Sequence, residues 1–192
     1  MMSRETQRYT SVAIFLHWLI ALFILGQIAG GLYVSDMPSG AEGRFALFQL
    51  HKSFGLTILG LTLLRILWRL VNPVPPLPEA MAMWEKILAR LTHLAFYALM
   101  LAMPLSGWAL VSSASRAVPT YFFGLFEVPH LPGLKGLENQ REVAGQISEM
   151  HELLAFLTLG LLLLHIAAAL KHHYFDRDDV LTRMLPFLKV RS

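Results

Sequence analysis

The chain has no cysteine among its 192 residues. Disulfides, thiolate catalysis, Cys-ligated zinc and iron–sulfur clusters are therefore excluded, as is covalent haem attachment through C-x-x-C-H. Charge is also scarce, at 15% of residues, against about 25% in soluble domains. Segments of roughly ten residues with alternating polarity, the mark of membrane β-strands, are missing. No internal repeat is visible. The charge that remains is basic on balance, with a formal net charge of +3. Those bases flank apolar segments and form no single patch, which is the pattern of membrane topology and not of a nucleic-acid surface.

What is present is apolar sequence. Hydrophobic residues make up 55% of the chain, and the mean hydropathy is +0.53. Four segments reach the roughly 20 residues that span a bilayer: about 11–34, 46–70, 84–111 and 147–170. The first is too apolar for too long to be a cleaved signal peptide and is read as retained. The expected fold is all-α, an integral membrane four-helix transmembrane bundle forming one domain over 1–192. Four spans put both termini on one side. That side and the 71–83 connection carry 11 of the 16 Lys and Arg residues, so both termini are expected in the cytoplasm of a multi-pass inner-membrane protein. Pro104 is expected to kink the third span. Asn72–Pro78 reads as a semi-rigid linker. The long loop 112–146 is too apolar to be a floppy tail, and is expected to pack on the outer membrane face or cap a buried cofactor. The segment 174–192 is expected as a short amphipathic piece on the inner interface.

Five histidines lie inside these spans, and four of them, His17, His51, His151 and His165, sort into depth-matched pairs. Ionisable residues inside a membrane are costly and default to a functional hypothesis. His17 and His165 sit at similar depth from the inner side, roughly 8–9 Å in. His51 and His151 match in depth from the outer side. His151 and His165 are 14 residues apart, about 40° short of four full turns, so they share a face about 21 Å apart. Paired imidazoles leave a haem iron no open position and favour electron transfer over oxygen binding. The pattern implies two non-covalently held haems with these four residues as iron ligands. For any one histidine, a hydrogen bond across the bundle explains it equally well.

Other residues are read with alternatives. His93 has no obvious depth-matched partner; a bundle hydrogen bond is the first reading and replacement of an inner ligand the second. His130 falls in the outer loop, solvated or packed. Gly55, one turn after His51, either lets a porphyrin lie flat or serves close helix packing. His172 and His173 either snorkel at the inner interface or, with Arg8, form a quinone or proton site. Trp18, Tyr97 and Trp108 read as core or interface packing, or as neighbours of the cofactors.

The stretches IFLHWLI, QLHKSFG, RLTHLAFYALMLAMPLSG, SEMHELLA and LHIAAALKHHYFDRDDVLTRMLP together resemble the bacterial cytochrome b561 family of four-helix dihaem membrane proteins. The resemblance covers nearly the whole chain, and its closing segment is the most specific part. It implies two haem b groups on the four histidines and electron exchange with the membrane quinone pool, ubiquinone included. One activity in that family is superoxide oxidation, which would make the chain an oxidoreductase passing electrons from superoxide outside to ubiquinone. Such an enzyme needs anion steering toward the outer site. The outer segments hold seven acidic residues against five basic ones, so steering falls to a local patch of Arg44, Lys52, Arg116 and Lys135, which could instead neutralise haem propionates. The alternative is a carrier that passes quinol electrons to a periplasmic redox protein with no substrate chemistry of its own. A third class is a haem-free transporter or assembly subunit. Membrane lipid is a partner in every case.

Overall fold

The computed structural model describes residues 8–115 and 118–189. Four long helices dominate it: α1 (Ser11–Asp36), α2 (Arg44–Val71), α3 (Met83–Ser113) and α4 (Gln140–Lys171). All four are long and apolar enough to cross a membrane. Arg4, Arg116 and Arg191, used in the charge count above, lie outside the described residues.

Local chemistry sets the helix ends. The hydroxyl of Thr10 accepts from Ala13 N at 3.3 Å, satisfying a free donor of the first turn of α1. The Glu85 carboxylate accepts from Ala82 N at the start of α3. The prolines between Pro73 and Pro78 cannot continue α2, so the chain crosses to α3 as a linker. Inside α3, Pro104 is accommodated without a break.

The expected spans hold, with one clear difference. α4 begins at Gln140, seven residues before the apolar segment at Ile147. Hydropathy sees only the part that meets lipid, whereas Gln, Arg, Glu and Ala extend a helix readily in water. The start is pinned by Gln140 Nε2, which donates to Ser113 O and Ala114 O at 3.1 and 3.3 Å.

Backbone packing runs α1 against α2, α2 against α3 and α3 against α4. α4 does not approach α1 or α2 to a comparable extent. The faces turned inward follow helical spacing. On α2 they carry His51, Gly55, Ile58, Thr62 and Arg65, and on α4 His151, Thr158 and His165, the last three each seven residues apart. Large apolar side chains such as Phe15, Leu67, Leu163 and Leu164 face outward, as lipid-facing helices require.

Two connections depart from the sequence reading. The long loop carries a small antiparallel hairpin, β1 (Thr120–Phe122) and β2 (Phe126–Val128), strapped to one end of α2. After α4, a π-helical turn (His172–Asp176) leads into a series of turns. This tail folds back on the bundle. Trp18 Nε1 donates to Met184 O at 2.9 Å, and Arg183 donates to Pro76 O. The two ends of the bundle are called here the termini side and the hairpin side.

Candidate redox site

Two histidine pairs occupy the interior. His17 of α1 and His165 of α4 have ring centres 6.3 Å apart on the termini side. His51 of α2 and His151 of α4 have ring centres 6.4 Å apart on the hairpin side. With a metal–imidazole bond of about 2.0 Å and about 1.1 Å from nitrogen to ring centre, two imidazoles facing across one metal stand about 6.2 Å apart. Both pairs have that separation. Both also bridge helices that are not packed backbone to backbone, which a flat macrocycle between the rings requires. The donor set is imidazole only, as low-spin haem iron takes it.

The hairpin-side rings rest on bare backbone. A Cβ on Gly31 of α1 would lie 3.1 Å from His51 Cε1, and one on Gly107 of α3 would lie 3.1 Å from His151 Cε1. Each glycine thus lets the neighbouring helix close against the edge of a histidine. Ser106 fixes the second ring. Its hydroxyl donates to Met103 O at 2.8 Å and lies 2.7 Å from His151 Nδ1. With its only proton committed, the hydroxyl must accept from Nδ1–H, which leaves the Nε2 lone pair for a metal. His51 Nδ1 is buried with no hydrogen-bond partner, but its backbone is held by Gln27 Nε2, which donates to His51 O at 2.8 Å. Gln27 crosses α2 at Gly55, where a Cβ would come 3.4 Å from Nε2. Gly55 therefore serves the α1–α2 contact.

The structure changes the reading of His93. Its ring centre is 6.1 Å from that of His165, so the termini-side pair is in fact a cluster of three. Ring spacing does not choose between His17 and His93 as the partner of His165. Helix packing differs between them: α3 and α4 are in close backbone contact, whereas α1 and α4 are not. Arg65, level with His17, donates to Ala13 O at 3.2 Å and to the Tyr97 hydroxyl at 3.3 Å. Between the two pairs, Thr158 donates to Leu154 O, while the hydroxyl of fully buried Thr62 has no partner.

At the termini side, His172 and His173 are buried and do not snorkel. The π-helical turn rolls them inward. His172 Nδ1 lies 2.7 Å from Asp178 Oδ2 and 3.0 Å from Asp176 Oδ2, and His173 stacks edgewise on Tyr174. Glu85, His172 and Asp176 bring potential metal-ligand atoms within 4.8 Å of one another. The Lys171 ammonium already pairs with both carboxylates there and takes the place of a cation. Arg8 is exposed and is not drawn into this cluster.

Near the hairpin, Lys52 donates to Pro119 O at 2.8 Å and sits over the Phe48 ring. The His130 imidazole is lowered from its ordinary value, by loss of hydration first and by Lys135 next. Arg116 lies outside the described residues. Trp108 Nε1 donates to Pro129 O at 3.0 Å and ties down the loop, Trp18 lies edge-on to His17 at 5.2 Å, and Tyr97 serves Arg65. Sequence reasoning missed Gly31, Gly107, Gln27 and Ser106. Gly31 and Gly107 each lie 14 residues after a histidine of their own helix, His17 and His93, and so share its face, but nothing local marks Gln27 or Ser106.

Residues 8–187 match the family model described as prokaryotic cytochrome b561. The chain belongs to the prokaryotic cytochrome b561 family. It is 36% identical over 180 residues to cytochrome b561 homolog 2 of Escherichia coli (strain K12), covering 93% of this chain and 92% of that protein. It is 29% identical over 185 residues to cytochrome b561 homolog 1 of the same organism, covering 93% and 97%. A protein of Yersinia pestis named probable superoxide oxidase CybB is 29% identical over 180 residues, covering 94% and 97%. As a cytochrome b561, the chain is a multi-pass bacterial membrane protein with an electron-transfer role, and its family implies b-type haem.

Proposed function

We propose that this cytochrome b561 holds two haem b groups, one between His17 and His165 and one between His51 and His151. It passes single electrons between the hairpin side and ubiquinone, with superoxide:ubiquinone oxidoreduction as the reaction. The observation that carries this reading is the pair of ring separations, 6.3 and 6.4 Å, across helices that do not pack together. When bound, each haem supplies a one-electron iron couple closed to further ligands. His151 and His165, about 21 Å apart on one face of α4, set the two centres at different membrane depths. Ser106 and the bare backbone of Gly31 and Gly107 keep the hairpin-side imidazoles in place. The lipid-facing helices exclude water from both.

The positive-inside rule puts the termini in the cytoplasm and the hairpin in the periplasm of the inner membrane. Quinone reduction takes up protons, and His172 is suited to deliver one. Its Nδ1–H donates to Asp178, which leaves Nε2 to exchange a proton with a substrate oxygen. His173 is the buried neighbour in that site, and Arg8 would reach it only from the surface. The name of the Yersinia pestis relative supports superoxide as donor.

One observation favours the second reading, a quinol-linked carrier to a periplasmic redox protein. The Lys52 ammonium is engaged by a carbonyl and a ring face, so it is less free to draw in an anion. Pyridine haemochrome on purified wild type and His51→Ala tests the haem assignment. Two b haems per chain falling to one are expected. A well-folded wild type without haem would return the chain to the transporter or assembly class. Superoxide-driven reduction that is fast and slows with salt supports the enzyme; its absence beside rapid quinol-driven reduction leaves the carrier.

A further inference from the structure

The hairpin is built at some cost. Its tip is Phe123-Gly124-Leu125, and Phe123 adopts φ 48°, a left-handed conformation rare for a bulky residue. Phe123 N donates to Ser53 Oγ at 3.0 Å, and its ring packs edgewise on Phe54 at 5.2 Å. The rest of the hairpin is strapped to the same turns of α2. Gln49 Nε2 and Lys52 Nζ both donate to Pro119 O at 2.8 Å. Tyr121 N donates to Gln49 Oε1 at 3.2 Å, and Ser53 Oγ donates to Tyr121 O at 3.1 Å.

These straps fix the level of the hairpin. Gln49 to Ser53 lie five to nine residues into α2 from Arg44, about 8–14 Å along its axis. The hairpin is therefore beside the span and not above it. At that level it exposes Leu125 (78%), Phe126 (58%), Tyr121 and Phe123. Its two strands contribute one charged residue, Glu127, opposite Tyr121. On α2 itself, Leu50 is exposed at the same level. The apolar surface of the hairpin is thus continuous with the lipid-facing belt of the helix. The outward backbone groups of Tyr121 on the β1 edge are met by Gln49 and Ser53 of α2, so that edge does not present unbonded groups to lipid.

We propose that the hairpin tip, Phe123–Phe126, is inserted into the hairpin-side leaflet as a re-entrant anchor, with phospholipid acyl chains as its partner. A soluble protein would have to reach a surface set below the end of the span. Aromatic and aliphatic side chains at that depth are what the membrane interface accepts. Because the straps flank His51, the anchor also braces the α2 turn that carries it.

The absence of cysteine makes the test direct. Single variants Leu125→Cys and Phe126→Cys of the full chain are labelled with an environment-sensitive fluorophore in phosphatidylcholine nanodiscs. Quenching by lipids with a nitroxide high on the acyl chain is compared with quenching by aqueous iodide. Leu157→Cys, exposed midway along α4, and Glu138→Cys, in the loop, are the lipid and water references. Strong acyl-nitroxide quenching with several-fold weaker iodide quenching than at Glu138 is expected. Iodide quenching equal to that at Glu138, without lipid quenching, overturns the proposal and leaves a protein-docking surface. Tyr121→Cys on β1 is a further probe should a tip variant fail to fold. None of these readouts requires haem, so the haem assignment and the anchor fail separately.

Discussion

Ser106→Ala removes one hydroxyl from the hairpin-side centre and nothing else of size. Ser106 is buried, and its Oγ lies 2.7 Å from His151 Nδ1. Without it, Nδ1–H loses its hydroxyl acceptor in a buried setting, a loss of up to about 1–3 kcal/mol. Loss of a hydrogen bond behind a metal-bound imidazole typically weakens metal affinity 10–100-fold, or about 1.4–2.8 kcal/mol, so the two arguments agree. The assay is haem transfer to excess apomyoglobin, followed in the Soret band. Wild type is expected to release both haems slowly. Ser106→Ala is expected to give a biphasic trace, with one haem leaving about 10–100 times faster and the other unchanged. Ser106→Thr keeps the hydroxyl and should restore the slow phase. Two slow phases in Ser106→Ala would show that Ser106 does not hold the ligand. Equal acceleration of both would mean general destabilisation, and the argument from His151 would fall.

The glycines give a graded set. Gly31→Ala and Gly107→Ala each place a methyl 3.1 Å from a histidine ring and are expected to cost about 1–3 kcal/mol of overpacking, read as lost hairpin-side haem. Gly60→Ala and Gly160→Ala meet nothing within 4 Å and should keep full haem content. His17→Ala is expected to lose the termini-side haem, whereas His93→Ala keeps two haems by pyridine haemochrome; the reverse pattern would make His93 the ligand. Arg65 has neutral partners, Ala13 O and Tyr97, and no carboxylate within ion-pair distance among the described residues. Arg65→Gln should therefore lower the midpoint potential of the termini-side centre in a redox titration, and Arg65→Lys should largely preserve it.

The four spans were legible because a membrane leaves a simple mark: about 20 apolar residues with charge at the ends. The pairing of His17 with His165 and of His51 with His151 was legible for a related reason. An imidazole is conspicuous in an apolar helix, and helical rise and period convert its position into a depth and a face. Cysteine content alone ruled out covalent haem attachment. The early start of α4 was hidden, because its first turns are polar and leave no mark in hydropathy.

Tertiary structure decided everything that depends on which helices touch. The depth of His93 suggested no partner, yet the approach of α3 to α4 brings it to 6.1 Å from His165. The same approach leaves little room between those two helices, which is why the proposed termini-side site uses His17. Gly31, Gly107, Gln27 and Ser106 act on histidines of other helices, and no local pattern announces a contact between spans. His172 and His173 looked like interfacial side chains until a π-helical turn rolled them inward. Sequence fixes the periodicity within each helix, because that follows from covalent geometry. The distances between helices follow from packing of the whole bundle, and the site lies in those distances.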